Sequence, residues 1–174
     1  GCIPHWSPDG RRIAYSKYGQ GVFVRDFEED SEEESIDRQG WAIEFSPDGR
    51  KTAYVKGNNN FVIHDLATNE RRLVFSEGPN PYRYIEHNFT WSPDSQRLCF
   101  KGHRTNGVLD VGIANATGGD PKLRVLCDAK DVSSDFSWLP DGKRLMFGRT
   151  PAGDTRTQIF EIDPDGDKPA VRFP

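Results

Sequence analysis

Four histidines, three cysteines and several acidic runs are the residues of this chain with the chemistry to bind or catalyse, and their spacing restricts what that chemistry is. His5, His64, His87 and His103 stand at no metal-ligand spacing, although His5 and His87 would approach Glu44 if the segments that hold them converge. No metal and no cofactor is expected. Cys2, Cys99 and Cys127 fit no metal pattern either, and an odd number of cysteines cannot be a complete set of internal disulfides. In the segment Asp163-Pro-Asp-Gly-Asp167 carboxylates alternate as in a calcium loop, but the glycine comes too early and no glutamate stands at the twelfth position. A hairpin turn is the better reading there. The run Glu28-Glu-Asp-Ser-Glu-Glu-Glu34 reads as a solvated loop between outer strands, with a basic partner as the alternative. Asn88-Phe-Thr90 and Asn115-Ala-Thr117 satisfy the glycosylation pattern, with Asn115 as the accessible one because Asn88 falls in an expected strand. For catalysis there is no Gly-x-Ser-x-Gly elbow, no phosphate-cradling loop and no His-Glu-x-x-His helix. These residues do not announce an enzyme.

The composition narrows the field further. A net charge of −4 and a pI near 5.6 argue against a phosphate-backbone partner, which needs clustered Lys and Arg. Nucleic acid is not expected. No uninterrupted apolar run exceeds three residues, so neither a membrane span nor the core of a signal peptide is expected. The chain begins at Gly1 rather than Met and reads as processed or excised. At 174 residues, with 11% aromatic side chains, it is long enough and apolar enough to fold as one domain, residues 1–174.

What positions the candidate residues is a repeat. Four segments align without gaps: Trp6-Ser-Pro-Asp-Gly-Arg-Arg-Ile-Ala-Tyr15, Phe45-Ser-Pro-Asp-Gly-Arg-Lys-Thr-Ala-Tyr54, Trp91-Ser-Pro-Asp-Ser-Gln-Arg-Leu-Cys-Phe100 and Trp138-Leu-Pro-Asp-Gly-Lys-Arg-Leu-Met-Phe147. Their aromatic heads lie 39, 46 and 47 residues apart, close to the roughly 40 to 50 residues of a four-stranded propeller blade. Each turn has a mechanism. Proline presets φ, aspartate tolerates the bridge region that follows, and glycine takes the left-handed position that closes a short hairpin. Ser95 in place of glycine should cost about 1 kcal/mol, because a side chain must enter left-handed space.

After each turn comes an apolar triplet: Ile13-Ala14-Tyr15, Ala53-Tyr54-Val55, Leu98-Cys99-Phe100 and Leu145-Met146-Phe147. Continuous rather than alternating apolarity implies burial on both faces, as in the middle of a blade held between neighbours. Cys99 aligns with Ala14, Ala53 and Met146 and reads as a packed small hydrophobe rather than a reactive thiol. Third strands follow at Val22-Phe23-Val24, Phe61-Val62-Ile63, 111–113 and 159–162. Fourth strands follow at 73–75, 123–126 and 170–173, with only a poor one near Ile36 in the first copy. A helix over 61–75 is disfavoured because the apolar positions cluster at the two ends and leave no continuous stripe. The expectation is an all-β propeller of four blades, approximately 1–38, 39–80, 81–128 and 129–174, each of four antiparallel strands. About sixteen strands follow.

These residues resemble the WD-repeat-like propeller repeat of the TolB family, whose pattern is an aromatic-Ser-Pro-Asp-Gly turn, an Ile-Ala-Tyr-like strand, and a further strand ending in Asp and a Thr-Gly-Glu-like turn. The segment Phe61-Val-Ile-His-Asp-Leu-Ala-Thr-Asn-Glu70 is similar to the last part, with Asn69 where glycine is usual. The resemblance implies a non-catalytic scaffold that binds a protein or peptide, and a periplasmic or otherwise extracytoplasmic location. Its alternative is the substrate-gating propeller of a larger prolyl oligopeptidase-like or tricorn-like serine peptidase. Related propellers have six to eight blades, so the four repeats imply an arc or fragment of a larger ring, completed by further blades of a longer chain.

In such a ring the strand before each turn lies nearest the axis, and its alternation says which side chains face the channel. The position before each aromatic head holds His5, Glu44, Thr90 and Ser137; two residues earlier, in the same phase, come Ile3, Ala42, Asn88 and Asp135. His5, Glu44, Asn88, Thr90, Asp135 and Ser137 are therefore the candidate channel-lining residues. Either they are merely solvated, or they bind an ion or a peptide terminus.

Overall fold

The computed structural model describes residues 4–28, 30–76, 78–116, 123–128 and 130–174. Gly1, Cys2, Ile3, Glu29 and Thr117, named above, lie outside them. The described residues contain strands and turns and no helix. The first sheet is β1 (His5–Trp6), β2 (Arg12–Lys17), β3 (Gly21–Asp26) and β4 (Glu33–Asp37). The second is β5 (Gly40–Phe45), β6 (Lys51–Lys56), β7 (Asn60–Asp65) and β8 (Arg71–Leu73). The third holds β9 (Tyr82–Ile85), β10 (Thr90–Trp91), β11 (Arg97–Arg104), β12 (Leu109–Asn115) and β13 (Arg124–Asp128). The fourth is β14 (Val132–Trp138), β15 (Leu145–Arg149), β16 (Gln158–Ile162) and β17 (Val171–Arg172). Neighbours in sequence are antiparallel neighbours in space, except that β9 pairs with β11 rather than with β10, so each sheet is a meander built on local turns.

The turn residues explain the hairpins. Ser7 Oγ donates to Asp9 Oδ1 at 2.6 Å and accepts the Arg12 N–H at 2.8 Å, while Asp9 Oδ1 also accepts the Arg11 N–H at 3.1 Å. Ser46 and Asp48 repeat this clasp at 2.6, 3.0 and 3.1 Å, and Ser92 and Asp94 at 2.5, 2.9 and 3.1 Å. Leu139 has no hydroxyl, and the fourth turn keeps only the Asp141 half, which accepts the Lys143 N–H at 3.0 Å. The closing position is left-handed in all four copies, with φ of 70° at Gly10, 69° at Gly49, 60° at Ser95 and 68° at Gly142. Ser95 does enter left-handed space.

The chain falls into two compact units, Gly1–Asn80 and Pro81–Pro174. In the first, Ala14, Val22, Val24 and Ile36 pack against Ile43, Phe45, Tyr54 and Val62 of the second sheet. In the other, Cys99, Val111 and Ile113 meet Val132, Trp138, Leu145, Phe147 and Ile162. Burying each such side chain contributes about 1.5–3 kcal/mol. An arginine fastens each pair. Arg12 lies 5.3 Å from the Phe45 ring centroid and donates to the Gly49 carbonyl at 3.5 Å. Arg97 repeats this on Trp138 at 4.8 Å and on the Gly142 carbonyl at 3.3 Å.

Several expectations change. The first copy has a regular fourth strand, β4, so Glu33 and Glu34 belong to a sheet rather than to the solvated loop. Tyr15 and Lys17 both donate to Glu33 at 2.6 Å, which stabilises that edge where apolarity is lacking. Among the described residues there are seventeen strands, because the inner strand of the third sheet is split into β9 and β10, both paired with β11. The segment 61–75 is strand, turn and strand: Asp65 Oδ1 accepts the Ala67 and Thr68 N–H groups at 3.0 Å, and Asn69 takes the left-handed place. Residues 163–167 form a hairpin turn, with the Asp165 N–H donating to Asp163 Oδ1 at 2.9 Å. Asn88 is exposed and outside any strand, whereas Asn115 is half-buried in β12. The accessibility expected of the two asparagines is thus reversed.

Candidate binding site on the inner strands

The residue before each aromatic head is held opposite the middle of the following apolar strand. His5 pairs with Ala14, Glu44 with Ala53, Thr90 with Cys99 and Ser137 with Met146. The strict alternation assumed from sequence fails further back. Register shifts interrupt β5 between Trp41 and Glu44 and β14 between Val132 and Phe136. In β5 the shift turns Ala42 to φ 55° and buries it, and the displaced Ala42 N–H is taken up by the buried Ser16 hydroxyl at 2.9 Å. Asn88 lies between β9 and β10, and Asp135 lies in the shifted part of β14; both are exposed. Thr90 is half-buried and Ser137 exposed, on adjacent strands of the second unit.

The first unit brings two candidates together. His5 Nε2 stands 3.6 Å from Glu44 Oε1, beyond hydrogen-bond reach. The Glu44 side chain is only 18% exposed, and burial pushes its pKa up to about 8. Burial lowers the pKa of His5. At neutral pH the pair is then mostly an uncharged carboxylic acid beside an uncharged imidazole. Each retains a donor and an acceptor for a ligand.

Other polar clusters had no signal in the sequence, because strand pairing rather than spacing assembles them. The Asp37 carboxylate, at the end of β4, accepts from the Tyr54 hydroxyl at 3.0 Å and from Lys56 at 2.8 Å. Burial alone would raise its pKa; the hydrogen bonds from Lys56, the Gln39 N–H and Tyr54 hold it below the usual value. In the third sheet Glu86 accepts from His103 at 3.0 Å, and Tyr84 meets the rings of His87 and His103 edge-on. Asp110 takes Arg104 and, at 3.4 Å, the hydroxyl of the buried Tyr82. His64 is buried in the second sheet, with Nε2 bonded to Asn69 at 2.8 Å. Cys99 is wholly buried and its thiol is pushed well up by that burial, as a packed hydrophobe's would be. Among the described residues no group of three or more His, Cys, Asp or Glu side chains is placed to hold a metal ion. The described residues hold no helix long and apolar enough to cross a membrane.

Four antiparallel meanders, each carrying the same turn and the same aromatic head, define a β-propeller. No protein-family model matches the sequence, and no curated protein does. Among solved structures, the fold is similar to a protein assigned as TolB from Agrobacterium tumefaciens, at a TM-score of 0.73 and 22% identity over 98% of this chain. It is also similar to TolB of Acinetobacter baumannii, at a TM-score of 0.69 and 20% identity over 99% of the chain. This chain spans 60% and 43% of the lengths of those two proteins. The fold is thus a TolB-like β-propeller. It is similar too to an oligogalacturonate lyase in complex with manganese, at a TM-score of 0.56 and 14% identity over 96% of this chain and 63% of that one. The same fold thus occurs in TolB and in a lyase, and function has to be argued from the site.

Proposed function

We propose that this chain is a non-catalytic scaffold that binds a protein or peptide, with His5 and Glu44 on the binding face of the first unit, Asn88, Thr90, Asp135 and Ser137 on that of the second, and further blades of the ring supplied by a longer chain. The His5–Glu44 pair carries this reading. A buried carboxylic acid and an imidazole 3.6 Å apart are neither bonded to each other nor fully hydrated, so a peptide group or chain terminus reaching them meets donors and acceptors already desolvated. The likeness to TolB supports the same reading and an extracytoplasmic, periplasmic location. Fractionation of cells making the full-length protein tests the location; recovery in the cytosol would refute it.

For binding, a displayed library of linear peptides is selected against the chain and the best binders are titrated calorimetrically. Glu44→Ala and Asp135→Ala should each weaken Kd by about tenfold, about 1.4 kcal/mol. An unchanged Kd in both variants removes the inner strands as the site.

A further inference from the structure

The two units differ at one buried place where the repeat makes them directly comparable. Seven residues after the aromatic heads Phe45 and Trp138 stand Thr52 and Leu145, and strand pairing sets His64 opposite Thr52 and Ile162 opposite Leu145. In the second unit Leu145 and Ile162 belong to one apolar cluster with Ile113. In the first unit the same positions are polar and just as deeply buried: Thr52 is fully buried and His64 is 2% exposed. Thr52 Oγ1 and His64 Nδ1 have no hydrogen-bond partner among the described residues. A buried polar atom left unsatisfied is costly, so the pair weakens the fold unless something bonds to it.

His64 lines a cavity of about 470 Å³ between the first two sheets, together with Arg12, Arg25, Asp26, Glu32, Glu34 and Asn69. Its Nε2 donates to Asn69 Oδ1 at 2.8 Å. Burial lowers the His64 pKa, so the ring is neutral at neutral pH and Nδ1 is left as an acceptor. The carboxylates are uncommitted too. Glu33 takes Tyr15 and Lys17, but Asp26, Glu32 and Glu34 are exposed and belong to none of the ion pairs among the described residues. The two guanidiniums already have partners: Arg25 Nε donates to Ser31 at 3.2 Å, and Arg12 stacks on Phe45 and bonds Gly49. What the cavity offers is therefore a set of acceptors, three carboxylates and an imidazole nitrogen. That set repels an anion and matches a cation carrying N–H donors.

We propose that this cavity is a second binding site, which takes a cationic side chain from a basic peptide segment. Asp26, Glu32 and Glu34 meet its charge, and His64 Nδ1 accepts one of its N–H groups. Glu28 and Asp30, exposed between β3 and β4, meet further basic residues of the segment. The site stands on β3, β4 and β7 rather than on the inner strands. It goes beyond the reading of His5 and Glu44 and does not rest on it.

The test titrates the full chain with the end-blocked peptide Gly-Arg-Gly-Arg-Gly, and in parallel with its glutamine and glutamate counterparts, following the histidine-ring nitrogen resonances and the heat of binding. The arginine peptide should bind saturably and shift the His64 signals, and the other two should not. Glu34→Gln should weaken its binding by about tenfold. His64→Ile installs the residue that the second unit carries at this position; it should weaken binding by more than about tenfold while leaving the denaturation midpoint unchanged or higher. It exchanges one uncharged side chain for another, so attraction of the peptide to the protein's net negative charge would survive it. Glu44→Ala should leave the arginine peptide bound as before. The proposal is overturned by an arginine peptide that does not bind saturably, by preference for the glutamate peptide, by undiminished binding to His64→Ile, or by a loss in Glu44→Ala, which would put the peptide on the inner strands.

Discussion

Glu44→Gln measures what it costs to keep a carboxyl group on the inner strand. Burial raises the pKa of Glu44 from 4.5 to about 8. A group whose pKa is raised by folding contributes stability that is complete below the unfolded value and is lost as pH rises through the folded one, here between pH 4.5 and about 8. Each pH unit in that window costs about 1.4 kcal/mol, and the whole window at most about 5 kcal/mol, a large part of the stability of an ordinary domain. His5 acts in the opposite sense, since burial lowers its pKa from 6.5 and its contribution is lost as pH falls below that value. Only above neutrality does Glu44 act alone. Urea unfolding followed by tryptophan fluorescence should therefore show the wild type losing about 1 kcal/mol from pH 7 to 8 and levelling off beyond, while the glutamine variant stays flat. Parallel profiles for the two proteins would refute the assignment of a buried, protonated Glu44.

Four further substitutions test the framework around the site. Ser46→Ala removes the clasp on Asp48 and the acceptor for the buried end of β6, and should lower stability by about 1–3 kcal/mol; Leu139→Ser, which supplies the missing clasp, should raise it by about 1 kcal/mol, both read from thermal melts. Gly40→Ala places a Cβ 2.6 Å from Val22 and 2.8 Å from Tyr54, so denaturant midpoints should fall by the equivalent of about 1–3 kcal/mol. Asp37→Asn weakens the bonds to Tyr54 and Lys56. Because the Asp37 pKa is lowered from 3.8 in the folded state, the stability it contributes is present above that value and lost as pH falls further. The variant should therefore be less stable than the wild type at pH 7 and should converge with it in acid, as circular dichroism melts at the two extremes would show.

The Pro-Asp-Gly turns were legible because their chemistry is local: Ser46, Asp48 and the Lys51 N–H that complete one clasp lie within six consecutive residues. The left-handed position at Ser95 and the strands after each turn follow from the same short segments. β4 was underestimated because its stability comes from Tyr15 and Lys17 reaching Glu33 across two strands, a contact that apolar patterning does not register. The phase of the inner strands was misjudged for a similar reason. The shift at Ala42 is sustained by the hydroxyl of Ser16, a residue of another sheet.

Sequence alone determined the number of sheets, the place of each turn and the identity of the residue before each aromatic head, since all of these depend on neighbours a few positions away. Tertiary structure decided that His5 and Glu44 meet and that burial leaves Glu44 protonated at neutral pH. Desolvation and exposure belong to surfaces brought together from distant parts of the chain, and no pattern within one repeat encodes which of its faces another sheet will cover.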